Sequence, residues 1–153
     1  MVGSDRRPQG GPDPRLRLTS YVASSVESTP PALTLGDPEP VVARRATRVL
    51  LEAAWLSPDA AEGFIGAVSE VVTNSLIHGR PPVQMLGWVR RGEAVVTVCD
   101  AGEGPLDPEA GAQPAPRDPG QGGFGLWLAH QSCSEVTMGR HTDGFTVRLV
   151  ARS

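Results

Sequence analysis

Glu70, Asn74 and His78 recur every four residues in the segment SEVVTNSLIHG. Each step of four drifts only about 40° round a helix, so the three polar side chains share one face. A carboxylate one turn from a carboxamide suits phosphoryl transfer. The amide oxygen of Asn74 can be a hard ligand for Mg²⁺, while the Glu70 carboxylate polarises a hydroxyl or a water. A solvated polar helix face is the plainer account of the same pattern.

Two further pieces follow in the chain. Asp100-Ala101-Gly102-Glu103-Gly104 comes directly after the apolar run AVVTVC. A carboxylate at a strand end can accept a hydrogen bond from an exocyclic amino group such as that of adenine, and the glycines let the backbone turn tightly round the ring. Gly120-Gln121-Gly122-Gly123-Phe124-Gly125-Leu126 then runs into WLAHQ. Glycines at a helix start turn backbone amides toward phosphate oxygens, and the helix dipole favours the anion. No Lys-Ser or Lys-Thr pair follows, so this is not a Walker loop, and no strand precedes it as a dinucleotide fingerprint requires.

The elements that must position these residues are legible in outline. Asp37 before Pro38 reads as a helix cap, with Val42, Ala46, Val49 and Ala53 as the apolar face. Ser57 and Pro58 start a second helix that stops at Gly79, with Phe64, Ile65, Val68, Val71, Val72 and Leu76 as its core stripe. Extended candidates are Leu16 to Val22 and Leu33 to Leu35. Val83 to Val89 and Ala94 to Cys99 form a hairpin through Arg90, Arg91, Gly92 and Glu93. A Gly- and Pro-rich loop runs from Asp100 to about Gly122, then a helix spans Phe124 to Ser132. Strands Glu135 to Met138 and Phe145 to Val150 close the chain through Asp143-Gly144.

A chain of 153 residues suits one domain, with residues 1–14 as a disordered arm or linker and 15–153 as the folded unit. All fourteen basic residues are Arg and the formal net charge is −3, which argues against a broad basic face for direct nucleic-acid binding. No apolar stretch approaches the ~20 residues of a membrane span and no signal peptide is evident, so a cytoplasmic location is expected. Cys99 and Cys133 read as two buried thiols. His130 and His141 read as structural or exposed, and Trp55, Trp88, Trp127, Phe64 and Phe145 as core or half-buried residues.

Taken in order, SEVVTNSLIHG resembles the N box, DAGEG the G1 box and GGFGLWLAHQ the G2 box of the GHKL (Bergerat-fold) ATPases. The Ser-Glu and Val-Thr-Asn of the N box, its closing His-Gly and the final strand DGFTVRLVA are most similar to bacterial anti-sigma factor serine/threonine kinases. The resemblance covers about Leu33 to Arg152. It implies ATP and Mg²⁺ as cofactors, with Asn74 coordinating the metal, Glu70 as catalytic base and Asp100 reading adenine. Gly102 and Gly104 would shape the base pocket. Gly123 and Gly125 would carry amides to the phosphates, with Gly122, Phe124 and Leu126 in the same nucleotide-binding set. His78 matches a position near the phosphates, or it caps and packs. Pro105 to Gly122 corresponds to a lid whose single basic residue, Arg117, either meets the γ-phosphate or is solvated.

The expected fold is an α/β (α+β) two-layer sandwich: a mixed, largely antiparallel sheet with three helices on one face. The function implied is phosphorylation of a serine or threonine on an anti-anti-sigma (STAS-type) partner, coupled to sequestration of a sigma factor, with a homodimer left open. Two other readings stand beside it. One is the ATP-binding module of a sensor histidine kinase, and the other a non-catalytic module that holds a regulator under ATP control.

Overall fold

A computed structural model describes residues 25–104, 129 and 131–153 of the chain. Within it a short 3₁₀ turn (Ser25–Ser28) leads to β1 (Leu33–Gly36), α1 (Pro40–Leu51), α2 (Pro58–His78), β2 (Gln84–Arg90), β3 (Glu93–Asp100), β4 (Glu135–His141) and β5 (Gly144–Arg152). The strands form one sheet in the order β1-β2-β3-β5-β4. Every pairing among the described residues is antiparallel, so the parallel component expected of a mixed sheet is absent from them. The candidates Leu16 to Val22 and Phe124 to Leu128 lie outside the described residues. Ala129, Gln131 and Ser132 are helical.

Side-chain alternation divides the sheet into two faces. Met85, Val96, Val98, Val147, Leu149 and Met138 point to the helices and join Phe64, Ile65, Val68, Val71 and Val72 of α2 in the main core. On the opposite face Trp88, Val95 and Val150 pack with Val26 of the 3₁₀ turn, and the Trp88 indole donates to the Thr29 carbonyl at 2.9 Å. Beside them Arg148 is 1% exposed and forms a 2.6 Å ion pair with Glu27.

α2 begins as its sequence predicts. The Ser57 hydroxyl accepts from the Ala60 amide at 3.1 Å and Pro58 takes the first turn, where its missing N–H is no loss. Gly79 is its C-cap. Leu76 departs from the expected core stripe: it is exposed, while its neighbour Ser75 takes the buried place on that turn.

α1 differs from its predicted form in two ways. Its N-cap is Glu39 and its first residue Pro40, not Asp37 and Pro38. Asp37 sits at a φ of 45° and accepts the Val83 amide on Oδ1 at 2.8 Å, while its own amide donates to the Val83 carbonyl at 2.6 Å. Its side chain therefore ties the end of β1 to the approach to β2. The helix also buries Ala43, Thr47, Leu50 and Leu51, leaving the predicted stripe of Val42 and Val49 outward.

The hairpin between β2 and β3 is tighter than expected. Arg90 pairs with Glu93, leaving Arg91 and Gly92 as the turn. Trp55, expected to be at least half-buried, is 65% exposed, with the Arg91 guanidinium 4.0 Å from its ring centre. That face is covered by a cation rather than by core. The β4–β5 turn also shifts by one residue, to Thr142 and Asp143, because Gly144 already pairs with His141.

Candidate functional site

The site is built where the C-terminal end of α2 meets the end of β3. β3 is buried along most of its length, and Asp100 closes it at 6% exposure. Asp100 shares the helix-facing side of the strand with Val98 and Val96, so its carboxylate turns toward α2 and not toward solvent.

One oxygen of that carboxylate is fixed by the backbone. Oδ1 accepts the Gly102 amide at 2.6 Å, an Asp-type turn, and stands 3.4 Å from the Arg80 amide. The Ala101 amide donates to the Arg80 carbonyl at 2.7 Å, which draws the post-helix segment onto the strand end. No hydrogen bond reaches Oδ2 from the described residues. A carboxylate oxygen without a partner keeps the capacity to accept from a donor such as an adenine amino group. The residues present thus fit a nucleotide base.

Gly79, read from the sequence as a helix stop and as the last residue of the N box, was given no role in the site. A Cβ there would stand 2.5 Å from Asp100 Cγ and Oδ2 and 2.6 Å from the Ser75 carbonyl. Only hydrogen fits in that gap. The one available signal was its place directly after His78, but the contact spans twenty-one residues of chain and no local pattern encodes it.

Of the G1 glycines, Gly102 donates to Asp100 and is buried. Gly104 takes a φ of +79°, and a Cβ on it would overlap the Phe145 ring at 2.3 Å. The glycine lets the chain leave the strand end across an aromatic side chain of β5.

Glu70 and Asn74 lie on α2, both half-buried, and His78 is exposed on its last turn. At 1.5 Å per residue, Asn74 and Glu70 stand roughly 8 and 14 Å up the helix axis from Gly79. One helix therefore carries the carboxylate and carboxamide at one level and abuts Asp100 at another. Between them the Thr73 hydroxyl is spent on the Ser69 carbonyl at 2.9 Å. The Asn74 amide oxygen is a hard donor of the kind Mg²⁺ takes, and the Glu70 carboxylate one turn before it can accept a proton. Arg117, Gly122, Gly123, Phe124, Gly125 and Leu126, and with them the lid and G2 box, lie outside the described residues.

Behind Asp100, on the other face of the sheet, Thr146 links two side chains. Its hydroxyl lies 3.1 Å from the Cys99 thiol and 2.8 Å from His141 Nε2. His141, expected to be structural or exposed, is half-buried and held by that contact. Burial pushes the Cys99 thiol above its ordinary range, opposed by the Thr146 hydrogen bond and reinforced by the charge of Asp100. Cys133 is pushed up to about 12 by burial. Both thiols are free. Among the described residues no group of three or more His, Cys, Asp and Glu could hold a metal, and no helix is long and apolar enough to cross a membrane.

Comparison with known proteins gives one family. The profile described as the histidine kinase-like ATPase domain matches residues 36–151. No curated protein matches the chain. Among solved structures, the chain is similar to the crystal structure of the RsbU and RsbW domains of Rv1364c from Mycobacterium tuberculosis, with 21% identity and a TM-score of 0.49. The match covers 81% of this chain and 32% of that one, so the chain spans about a third of that protein's length.

Proposed function

The chain belongs to the family of histidine kinase-like ATPase domains, an ATP-binding module of the GHKL type, and from that premise we propose that it is a protein serine/threonine kinase of the anti-sigma type. In this reading it phosphorylates a serine or threonine of an anti-anti-sigma partner and holds a sigma factor while that partner is phosphorylated. The observation that carries the nucleotide half is the Asp100 carboxylate, nearly buried, with Oδ1 held by Gly102 and Oδ2 beside Gly79 without a hydrogen bond from the described residues. The sequence of the N box and of the closing strand supports the anti-sigma half.

Asp100 accepts from the exocyclic amine of adenine through Oδ2. Asn74 offers its amide oxygen to Mg²⁺. Glu70, one turn before it, accepts the proton of the attacking serine or threonine hydroxyl. Mg–ATP, when bound, supplies the phosphoryl group and the charge neutralisation that its transfer needs. In this reading the base is met at Asp100 of β3, beside Gly79, and the proton is accepted at Glu70, roughly 14 Å up the axis of α2.

Calorimetry of ATP binding with and without Mg²⁺ tests this, on the wild type and on Asn74→Ala and Asp100→Ala. Magnesium-dependent binding that both variants lose supports the assignment. Absence of ATP binding in the wild type overturns it and leaves the fold to protein contacts alone. Partner sequestration that survives in Glu70→Ala, with no turnover in either form, favours the non-catalytic module.

A further inference from the structure

Three side chains on the outer face of the sheet form a line that the nucleotide site does not use. Cys99 of β3 lies directly across from Thr146 of β5, and His141 ends β4 just beyond Gly139, the partner of Thr146. The Thr146 hydroxyl stands 3.1 Å from the Cys99 sulfur and 2.8 Å from His141 Nε2, so it touches both. A hydroxyl can donate and accept at once. With the thiol donating to Thr146 and Thr146 donating to a neutral imidazole, both contacts are satisfied. When each proton moves one place along the line, the sulfur becomes a thiolate that accepts from Thr146. The imidazole becomes an imidazolium that donates to it, and both contacts are satisfied again.

This is a nucleophile and a base joined by one hydroxyl. The base matters because burial and the charge of Asp100 both push the Cys99 thiol above its ordinary range. A thiol in that setting keeps its proton and stays inert unless a partner takes it. Cys133 is the comparison within the same chain. It is also half-buried, packs against the main core, and has no side-chain hydrogen bond to its sulfur among the described residues.

The line is also within reach of a small molecule. Val95, Val150 and Arg148 on the same face are fully buried, beside the Ser25–Ser28 turn. Cys99, Thr146, Gly139 and His141 are only half-buried, and Gln84, across β2 from Cys99, is exposed. The face is closed at the Val95 end and opens where Cys99 lies.

A change at Cys99 bears on the base site because the next residue is Asp100. Asp100 pairs with Phe145, and a Cβ built on Gly144 would overlap the Asp100 carbonyl oxygen. Gly144 in turn pairs with His141. The start of β5 is therefore packed against Asp100 with no slack, and it carries Thr146 two residues on.

We propose that Cys99 is a peroxide-sensing thiol, with His141 as its base through Thr146, and that its oxidation weakens nucleotide binding at Asp100. The thiolate sulfur attacks one oxygen of hydrogen peroxide, and an S–O bond forms as the O–O bond breaks. The departing hydroxide takes the proton stored on His141 and leaves as water. Sulfur gives up two electrons and the peroxide receives them, so thiol and peroxide become a sulfenic acid and water. The added oxygen crowds the Cys99–Thr146 pair, one place along from the Asp100–Phe145 pair. The inference gives the proposed nucleotide site a regulator, and it rests on that reading only for the loss of ATP binding.

The full chain treated with hydrogen peroxide and trapped with dimedone, which tags sulfenic acids, reports the two thiols separately by peptide mass spectrometry. Cys99 should be tagged about tenfold or more faster than Cys133. Thr146→Val and His141→Phe should slow Cys99 to the rate of Cys133, while Thr146→Ser, which keeps the hydroxyl, should retain the wild-type rate. Cys133 doubles as the monitor of folding, because a variant that unfolds tags it faster. Calorimetry should show ATP affinity falling by about tenfold in the oxidised wild type and returning with dithiothreitol. Cys99→Ala under the same treatment should hold its affinity. Tagging of Cys133 as fast as Cys99, or a Cys99 rate that Thr146→Val leaves unchanged, overturns the proposal. So does a chain oxidised at Cys99 that binds ATP as tightly as the reduced one. A reduced wild type that binds no ATP would overturn the nucleotide reading, and the tagging rates would still decide whether Cys99 is the sensing thiol.

Discussion

Gly79 and Asp100 approach so closely that a single methyl group on Gly79 would stand 2.5 Å from Asp100 Oδ2. The helix end and the strand end are thus fitted to each other at the carboxylate proposed to read the base. Gly79→Ala must displace Asp100, the Ser75 carbonyl or both, at a cost of about 1–3 kcal/mol in stability and with a fall in ATP affinity. Gly66, also in α2, is the control. Nothing lies within 4 Å of a Cβ there, so Gly66→Ala should stabilise by about 0.5–1 kcal/mol through helix propensity alone. Urea denaturation and calorimetry of the two variants should move in opposite directions.

Arg148 is held on the opposite face of the sheet by a carboxylate from far up the chain. It meets Glu27 at 2.6 Å and stands 3.5 Å from Glu135. Removing one member of a buried pair leaves the other uncompensated, so Glu27→Ala should cost about 3–5 kcal/mol, toward the low end because Glu135 remains near. Replacing both, as Glu27→Leu/Arg148→Met, should recover most of that loss. A double variant as unstable as Glu27→Ala would show that the charges hold the Ser25–Ser28 turn in place through something other than their pairing.

Local chemistry was legible in the sequence, and contacts across the chain were not. Ser57 with Pro58, and the strands flanking Arg91-Gly92, declared themselves because a cap and a hairpin turn are set by neighbouring residues. Asp37 misled for the same reason. An Asp before a Pro is a good cap in isolation, but its carboxylate was claimed by the amide of Val83, forty-six residues away. The face of α1 was misjudged because two apolar stripes compete and periodicity cannot tell which one the sheet takes. Asp100 was found as the end of an apolar strand followed by glycines. Its contact with Gly79 depends on how α2 lies on the sheet, as does the burial of Arg148, and neither leaves a periodic trace.

Cys133 gives the protein a pH dependence at the alkaline end. Its thiol is pushed up to about 12 by burial, against an ordinary value of 9.0. Between those values the unfolded chain releases the proton and the folded one keeps it, so stability falls as pH rises, by at most about 1.4 kcal/mol per pH unit. Below pH 9 this contribution is constant. The window is clean because the chain has no Lys, leaving Tyr21 and Cys99 as the other side chains expected to titrate there. Denaturant midpoints from pH 8 to 11 should slope downward, and Cys133→Ala should flatten the slope even where it lowers the starting value. A slope that Cys133→Ala leaves unchanged would assign the effect to Cys99 or Tyr21.

Asp100→Asn separates the fold of the base site from its reading of the base. The asparagine oxygen can keep the Gly102 amide that Oδ1 now accepts at 2.6 Å, so the turn survives. The NH₂ group then occupies the place of Oδ2 and presents a donor where adenine also presents one. Two donors facing each other in a nearly buried site leave both unpaired, and ATP affinity should fall by about tenfold or more, at least ~1.4 kcal/mol. A purine with a carbonyl oxygen in place of the amino group offers the acceptor that asparagine needs. The variant should therefore prefer ITP over ATP, reversing the wild-type order, with an unchanged urea midpoint. Competition calorimetry with the two nucleotides reads this directly. Equal losses for ATP and ITP would mean that Asp100 shapes the strand end without touching the base.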